Sequence, residues 1–156
     1  MVDDGFYGSR SLEPGWKLLA HARLEVKLFA YCRHRTDWRH PRRIQGANTL
    51  YLVLSGDGEL RPDGPRMPLK PGHAYLLPAT TPIGLYCKTG IEKFWGHFSL
   101  TLGGGLDLLS GLDVPVDLGR FDRCQLALKT LTQEAGHLRI RALILELMAR
   151  MTDYWE

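Results

Sequence analysis

The sequence has few cysteines, no long apolar run and no signal peptide, and each absence narrows the possible functions. Its three cysteines, Cys32, Cys87 and Cys124, are widely spaced and form no C-x-x-C pair. An odd number of separated cysteines predicts reduced thiols in a cytoplasmic protein. The longest apolar runs fall well short of the roughly 20 residues of a membrane helix, so no membrane association is expected. The opening residues MVDD are acidic, unlike the basic and then apolar start of a secretory signal.

The composition is that of one globular domain with an appendage. The chain has 156 residues, of which 44% are hydrophobic and 24% charged, which is ordinary for a globular protein. Seventeen glycines and nine prolines predict many turns, as a β-rich body requires. The net charge of +3 is too small to indicate nucleic-acid binding by itself.

Alternating apolar patterns predict a mainly β body over residues 16–101. Residues 48–55 place Thr49, Tyr51 and Val53 on one face and leucines on the other, so both faces are expected to be buried. Residues 91–101 alternate in the same way, and turn signals recur about every ten residues. Such spacing is typical of a sandwich or barrel.

The remaining segments are assigned by composition and period. Residues 1–15 are polar and predict an arm, which either folds over a pocket or frays at the terminus. The basic segment 33–43 is either an anion or nucleic-acid patch or a solvated connection between strands, and we favour the connection. Residues 102–120 are rich in glycine and aspartate and predict a connecting loop.

Residues 121–156 switch to a helical period and predict an antiparallel two-helix hairpin. The second helix, over about 138–155, is apolar on nearly every side, which exceeds what one neighbour can cover. We therefore expect a two-fold homodimer, although a helix buried within the monomer would give the same pattern. The predicted dimer interface consists of Ile140, Ile144, Leu147, Met151 and Tyr154.

Three motifs in order resemble the amino-terminal cupin domain of AraC-type transcription regulators. They are LYLVLSGDGEL at residues 50–60, LKPGHAYLLPATTPIGL at 69–85 and EKFWGHFSL at 92–100, followed by the helical hairpin. The resemblance implies a cupin double-stranded β-helix, or jelly-roll barrel, that binds a small effector, with terminal helices that form a dimer. In that family a separate carboxy-terminal domain with two helix-turn-helix motifs binds DNA. Such a domain is expected downstream of Glu156, so this chain would contact DNA only through it.

The metal-binding pattern of many cupins is missing from this chain. Those cupins hold a metal through an H-x-H pair, a glutamate and a later histidine. In this chain residues 42–45 read RRIQ where the H-x-H pair would lie, Thr49 replaces the glutamate and Ile83 replaces the later histidine. The six histidines show no ligand spacing, and no nucleophile motif is present. We therefore predict no metal, no cofactor and no catalysis. The alternative is a metal-dependent cupin enzyme, an isomerase or dioxygenase, with an atypical site.

Five residues are predicted to contact the effector. Thr49 and Tyr51 lie on the face of their strand that carries metal ligands in metal cupins, and Trp95 and His97 share a face of the last strand. Arg42 lies close to the place where a sugar-sensing member of the family has an arginine, and Arg43 is possible if the alignment shifts by one residue. Core packing would explain the aromatic residues equally well. The effector class, a sugar or an aromatic or organic acid, is left open.

Overall fold

The computed structural model describes residues 21–121 and 136–151 of the chain. Within these ranges it contains nine β-strands and one α-helix. The elements are β1 (Arg23–His34), β2 (Trp38–Arg43), β3 (Asn48–Gly56), β4 (Gly58–Arg61), β5 (Met67–Leu69), β6 (His73–Leu77), β7 (Ile83–Cys87), β8 (Ile91–Thr101), β9 (Val116–Arg120) and α1 (Gly136–Met151).

The strands form two antiparallel sheets with the strand order of a jelly roll. One sheet runs β1-β8-β3-β6-β9 and the other β2-β7-β4-β5. Without β9, these are the two four-stranded sheets of an eight-stranded jelly roll, the architecture that cupins share with lectin and capsid domains. The predicted mainly β jelly roll is therefore confirmed by the strand order itself.

The two faces of the five-stranded sheet are both buried, as the alternation in β3 and β8 predicts. One apolar cluster lies between the sheets and includes Val53, Leu60 and Ile83. A second cluster covers the opposite face of the five-stranded sheet and includes Leu50 and Phe94 together with apolar residues of α1. Successive residues of one strand thus face different cores, because side chains alternate along a strand.

Helix α1 buries its apolar face against the sheet of its own chain. Ile140, Ile144, Leu147 and Met151 are at most 7% exposed and belong to the cluster formed with β3, β6 and β8. This corrects their assignment to a dimer interface, because side chains enclosed by the sheet have no surface left for a second subunit. The apolar pattern alone could not distinguish these two partners. Tyr154, the fifth predicted interface residue, lies outside the described residues.

Two predicted connections contain strands, and parts of other predictions lie outside the described residues. The basic segment 33–43 contains β2, which pairs with β7, so it is a strand where a connection was expected, although most of its residues are exposed to solvent. The predicted loop 102–120 contains β9, which pairs with β6. The arm at 1–15 and the first helix of the predicted hairpin both lie outside the described ranges. Of the predicted hairpin, the structure therefore describes only the second helix, α1. Within those ranges, no helix is long and apolar enough to cross a bilayer.

Candidate functional site

A cavity of about 290 Å³ lies between the two sheets, beside the apolar cluster of the barrel. We call it the barrel cavity. Strands β1, β2, β3 and β8 and the segment after β2 supply its lining. The lining residues are Cys32 and His34 from β1, Trp38, His40 and Arg43 from β2, Gln45 from the segment after β2, Thr49 and Tyr51 from β3, and Lys93, Trp95 and His97 from β8.

Strand pairing explains why the residues of β3 and β8 meet in the barrel cavity. Tyr51 lies opposite Trp95, and Thr49 lies opposite His97, in the antiparallel ladder between the two strands. Directly opposed residues share one face of a sheet, so all four side chains point to the same side. The rings of Trp95 and His97 are 5.2 Å apart in an edge-to-face arrangement. Thr49 is buried, and its hydroxyl donates a hydrogen bond to the carbonyl of Ala47 at 3.4 Å.

A β-bulge in β2 decides which arginine reaches the barrel cavity. His40 pairs with Leu85 and Arg43 with Ile83, so three steps along β2 match two steps along β7. One extra residue reverses the alternation, which brings Arg43 to the inner face. Arg42 instead forms an ion pair with Asp63 on the outside of the barrel. Among the described residues, Arg43 therefore lines the barrel cavity in place of the predicted Arg42, which is the alternative that a one-residue shift allowed; contact of Arg43 with a ligand stays a prediction.

Lys93 is a buried cation in the wall of the barrel cavity. Only 3% of the residue is exposed, and its Nζ lies 3.4 Å from the Cys32 sulfur and 4.1 Å from the centre of the Tyr51 ring. Burial lowers the pKa of the Lys93 ammonium, because a charge taken out of water is disfavoured. The face of a tyrosine ring offers a cation some compensation. A thiol and a ring remain weaker partners than a carboxylate.

Two histidines of the barrel cavity are held in the neutral form. Burial, followed by the charge of Lys93, lowers the pKa of His34 to about 4. Burial, followed by the charge of Arg43, also lowers the pKa of His97. His34 stacks on Trp38 with the ring centres 3.6 Å apart. At neutral pH these imidazoles can each donate and accept a hydrogen bond without adding charge.

The structure brings four of the five predicted ligand residues together and adds residues that the sequence reasoning missed. Thr49, Tyr51, Trp95 and His97 all line the barrel cavity. Their contact with a ligand stays a prediction. Lys93 shares the face of Trp95 and His97 in the alternation of residues 91–101, which was the available signal for it. The other added residues are Cys32, His34, Trp38, His40 and Gln45.

The described residues do not fit a metal centre. Among them, no group of three or more histidine, cysteine, aspartate or glutamate side chains could hold a metal ion. The barrel cavity contains histidines and a thiol, but it also contains Lys93 and Arg43, whose positive charges oppose a bound cation. No metal-dependent step is assigned to it.

The described residues also border two wider clefts outside the barrel. One, of about 470 Å³, separates β1 from the start of α1 and is bordered by Val26 and Gly136. The other, of about 620 Å³, runs beside the end of β1 and is bordered by Arg33 and Glu92. Neither lining includes a tryptophan or tyrosine among the described residues, whereas the smaller barrel cavity combines three such rings with convergent polar groups.

Comparisons with known proteins give partial structural similarity only. No protein family and no curated protein matches the chain. A cupin superfamily protein from Desulfitobacterium hafniense has a TM-score of 0.43 and 15% identity, over 49% of this chain and 75% of that one. A Cupin 2 conserved barrel domain protein from Salinispora arenicola has a TM-score of 0.41 and 14% identity, over 48% and 73%. Salicylate 1,2-dioxygenase from Pseudoaminobacter salicylatoxidans, in an adduct with gentisate, has a TM-score of 0.41 and 15% identity, over 54% and 29%.

The similar structures correct one prediction from the sequence. The chain was expected not to be an enzyme, yet an enzyme is among the solved structures that it resembles. The likeness is low and partial, so it assigns no reaction to this chain. Whether the chain catalyses a reaction is therefore an open question.

Proposed function

We propose that this chain is the effector-sensing and dimerising domain of an AraC-type transcription regulator, with the effector held in the barrel cavity. The observation that carries the proposal is the double role of β3 and β8. Tyr51 and Trp95 line the barrel cavity, whereas their neighbours Leu50 and Phe94 pack in the cluster that holds α1. One layer of backbone therefore separates the barrel cavity from the cluster that holds α1.

This arrangement supports a sensing role because a ligand can act on α1 through rigid elements. A molecule that displaces the cavity-facing side chains of β8 also shifts Phe94 and Phe98, which contact the helix cluster on the other face. Packed cores respond to such shifts by small translations of whole elements, since they cannot deform continuously. In a regulator, a shift of α1 is a signal that a second subunit or a following domain can read.

The homodimer belongs to the proposal and requires other residues than those predicted for it. The inward face of α1 packs against the sheet. The large apolar side chains of this helix that are exposed to solvent are Leu138, 73% exposed, and Leu145, 49% exposed. Light scattering tests the oligomeric state directly. We expect a dimer, and a monomer at high protein concentration would contradict this part of the proposal.

A thermal-shift screen against sugars, aromatic acids and fatty acids tests ligand binding. A ligand present at 100 times its dissociation constant stabilises the folded chain by about 2.7 kcal/mol, which gives a readily measured rise in melting temperature. The rise should disappear in Trp95→Ala and persist in Tyr31→Ala, an exposed aromatic residue of β1 outside the barrel cavity. A rise that survives the loss of Trp95 would place the ligand elsewhere.

The regulatory context is tested by the reading frame that follows Glu156. Two helix-turn-helix patterns in that frame would support a DNA-binding regulator. A stop codon at this point would contradict it and leave a ligand-binding barrel without a DNA-binding partner domain.

A further inference from the structure

The charges that line the barrel cavity are all of one sign. Lys93 and Arg43 are cationic, and none of the residues that the structure places in the lining is an aspartate or glutamate. The carboxylates near β2 lie outside the barrel instead, where Asp63 pairs with Arg42 and Asp37 with Arg39. Within the described residues, neither of the two lining cations, the buried Lys93 and the exposed Arg43, takes part in an ion pair.

An unpaired buried ammonium is costly, which makes Lys93 informative. Removing an ion from water costs several kcal/mol unless an opposite charge and hydrogen bonds replace the lost solvation. The sulfur of Cys32 and the ring of Tyr51 replace it only in part. A ligand that brings a negative charge would complete the environment of Lys93, whereas a neutral sugar would not.

The rest of the lining indicates the body of such a ligand. Trp38, Tyr51 and Trp95 contribute flat apolar surfaces on different strands. Aromatic side chains of this kind bind planar or aliphatic groups through area and stacking. A volume of about 290 Å³ equals that of about ten water molecules, at about 30 Å³ each, which suits a single ring or a short chain.

We infer that the ligand of the barrel cavity is a small monocarboxylate with an apolar, planar body. Its carboxylate is held by Lys93 and Arg43, and its body lies against Trp95 and Trp38. The inference rests on the proposed ligand-binding function and narrows it to one chemical class. Neutral His34 and His97 supply hydrogen bonds beside the two cations.

Matched pairs of acids and amides test the inference on the full chain. Isothermal titration compares benzoate with benzamide, phenylacetate with phenylacetamide, and cinnamate with cinnamamide. Within each pair the shape is nearly constant and only the negative charge is lost. We expect at least one acid to bind at least tenfold more tightly than its amide. The inference is overturned if no acid of the panel binds more tightly than its amide.

Two variants with neighbouring controls locate the charge effect. Lys93→Met and Arg43→Gln should each weaken binding of the acid at least tenfold and leave the amide within about twofold. Arg42→Gln, one residue away but outside the barrel, and Lys70→Met, an exposed lysine, should leave the acid affinity unchanged. Melting curves verify that each variant is folded. Equal acid affinity in wild type and in both cavity variants would contradict the inference.

The sensing proposal and the carboxylate inference fail in different ways. If L-arabinose, glucose or another neutral compound stabilises the protein and loses this effect in Trp95→Ala, the barrel cavity binds ligands but not carboxylates, and only the inference fails. If no acid, amide or sugar binds, the proposed ligand-binding function fails with it.

Discussion

Replacing Leu147 with alanine tests whether α1 packs on the sheet of its own chain. Leu147 is fully buried in the cluster that joins α1 to β3, β6 and β8. The substitution removes three carbon atoms, a transfer loss of about 2.4 kcal/mol at about 0.8 kcal/mol for each. The residual cavity adds about 24 cal/mol for each Å³ that the surroundings fail to fill. We expect the free energy of unfolding to fall by about 3–4 kcal/mol in urea titrations.

Leu145 supplies the matched control, since it lies two residues away on the outer face of the same helix. It is 49% exposed, so Leu145→Ala should cost less than about 1 kcal/mol. The loss in Leu147→Ala should not depend on protein concentration, whereas destabilisation through a dimer interface would. Equal losses in the two variants, or a loss in Leu147→Ala that shrinks as the protein is concentrated, would refute the intramolecular packing.

Two further predictions concern the buried amide of Asn48 and the half-buried imidazole of His34. Asn48 donates to Asp107 at 2.8 Å and accepts from the backbone N–H of Ala79 at 3.1 Å, so Asn48→Ala should cost about 1–3 kcal/mol in urea titrations; a change below about 0.5 kcal/mol would contradict this. The pKa of His34 is lowered from 6.5 to about 4. Between these two pH values the imidazole binds a proton in the unfolded chain but not in the folded chain. The free energy of unfolding therefore falls as the pH drops from about 6.5 to about 4. His34→Gln should reduce this loss and His137→Gln, an exposed residue of α1, should not; identical pH profiles for wild type and His34→Gln would contradict the assignment.

The sequence predicted the strands in which both faces are apolar, as in residues 48–55, or in which apolar and polar residues alternate, as in residues 91–101. In residues 91–101, Phe94 and Phe98 occupy one face and Trp95 and His97 the other, and the structure assigns the first pair to the helix cluster and the second to the barrel cavity. Residues 48–56 behave in the same way. Where each face of a strand packs against a different environment, side-chain character alternates with a period of two, and this alternation identifies the strand from the sequence.

Strand β2 was missed because its inward positions line a cavity instead of a core. Trp38, His40 and Arg43 face inward, so polar residues stand where alternation would require apolar ones. The available signal was Pro41, because a proline within a strand indicates an edge or a bulge. The bulge between His40 and Arg43 also explains why Arg43, and not the predicted Arg42, lines the barrel cavity. A shift of one residue in register moves every following side chain to the opposite face of the strand.

The partner of α1 could not be predicted from its apolar stripe. Ile144 and Leu147 would show the same spacing against a sheet or against a second subunit, since either partner excludes water equally well. Lys93 shows a related limit. The alternation of residues 91–101 places it on the face of Trp95, and only the structure shows that it is buried beside Tyr51 and lines the barrel cavity.

The most direct test of the ligand site is an amide and indole NMR titration of the isotope-labelled chain with the tightest compound of the screen. The account predicts that the largest shift changes lie at Tyr51, Lys93 and Trp95, including the indole N–H of Trp95, with smaller changes in α1. Shift changes confined to the outer clefts or to the exposed face of α1, with the signals of these three residues unmoved, would contradict it.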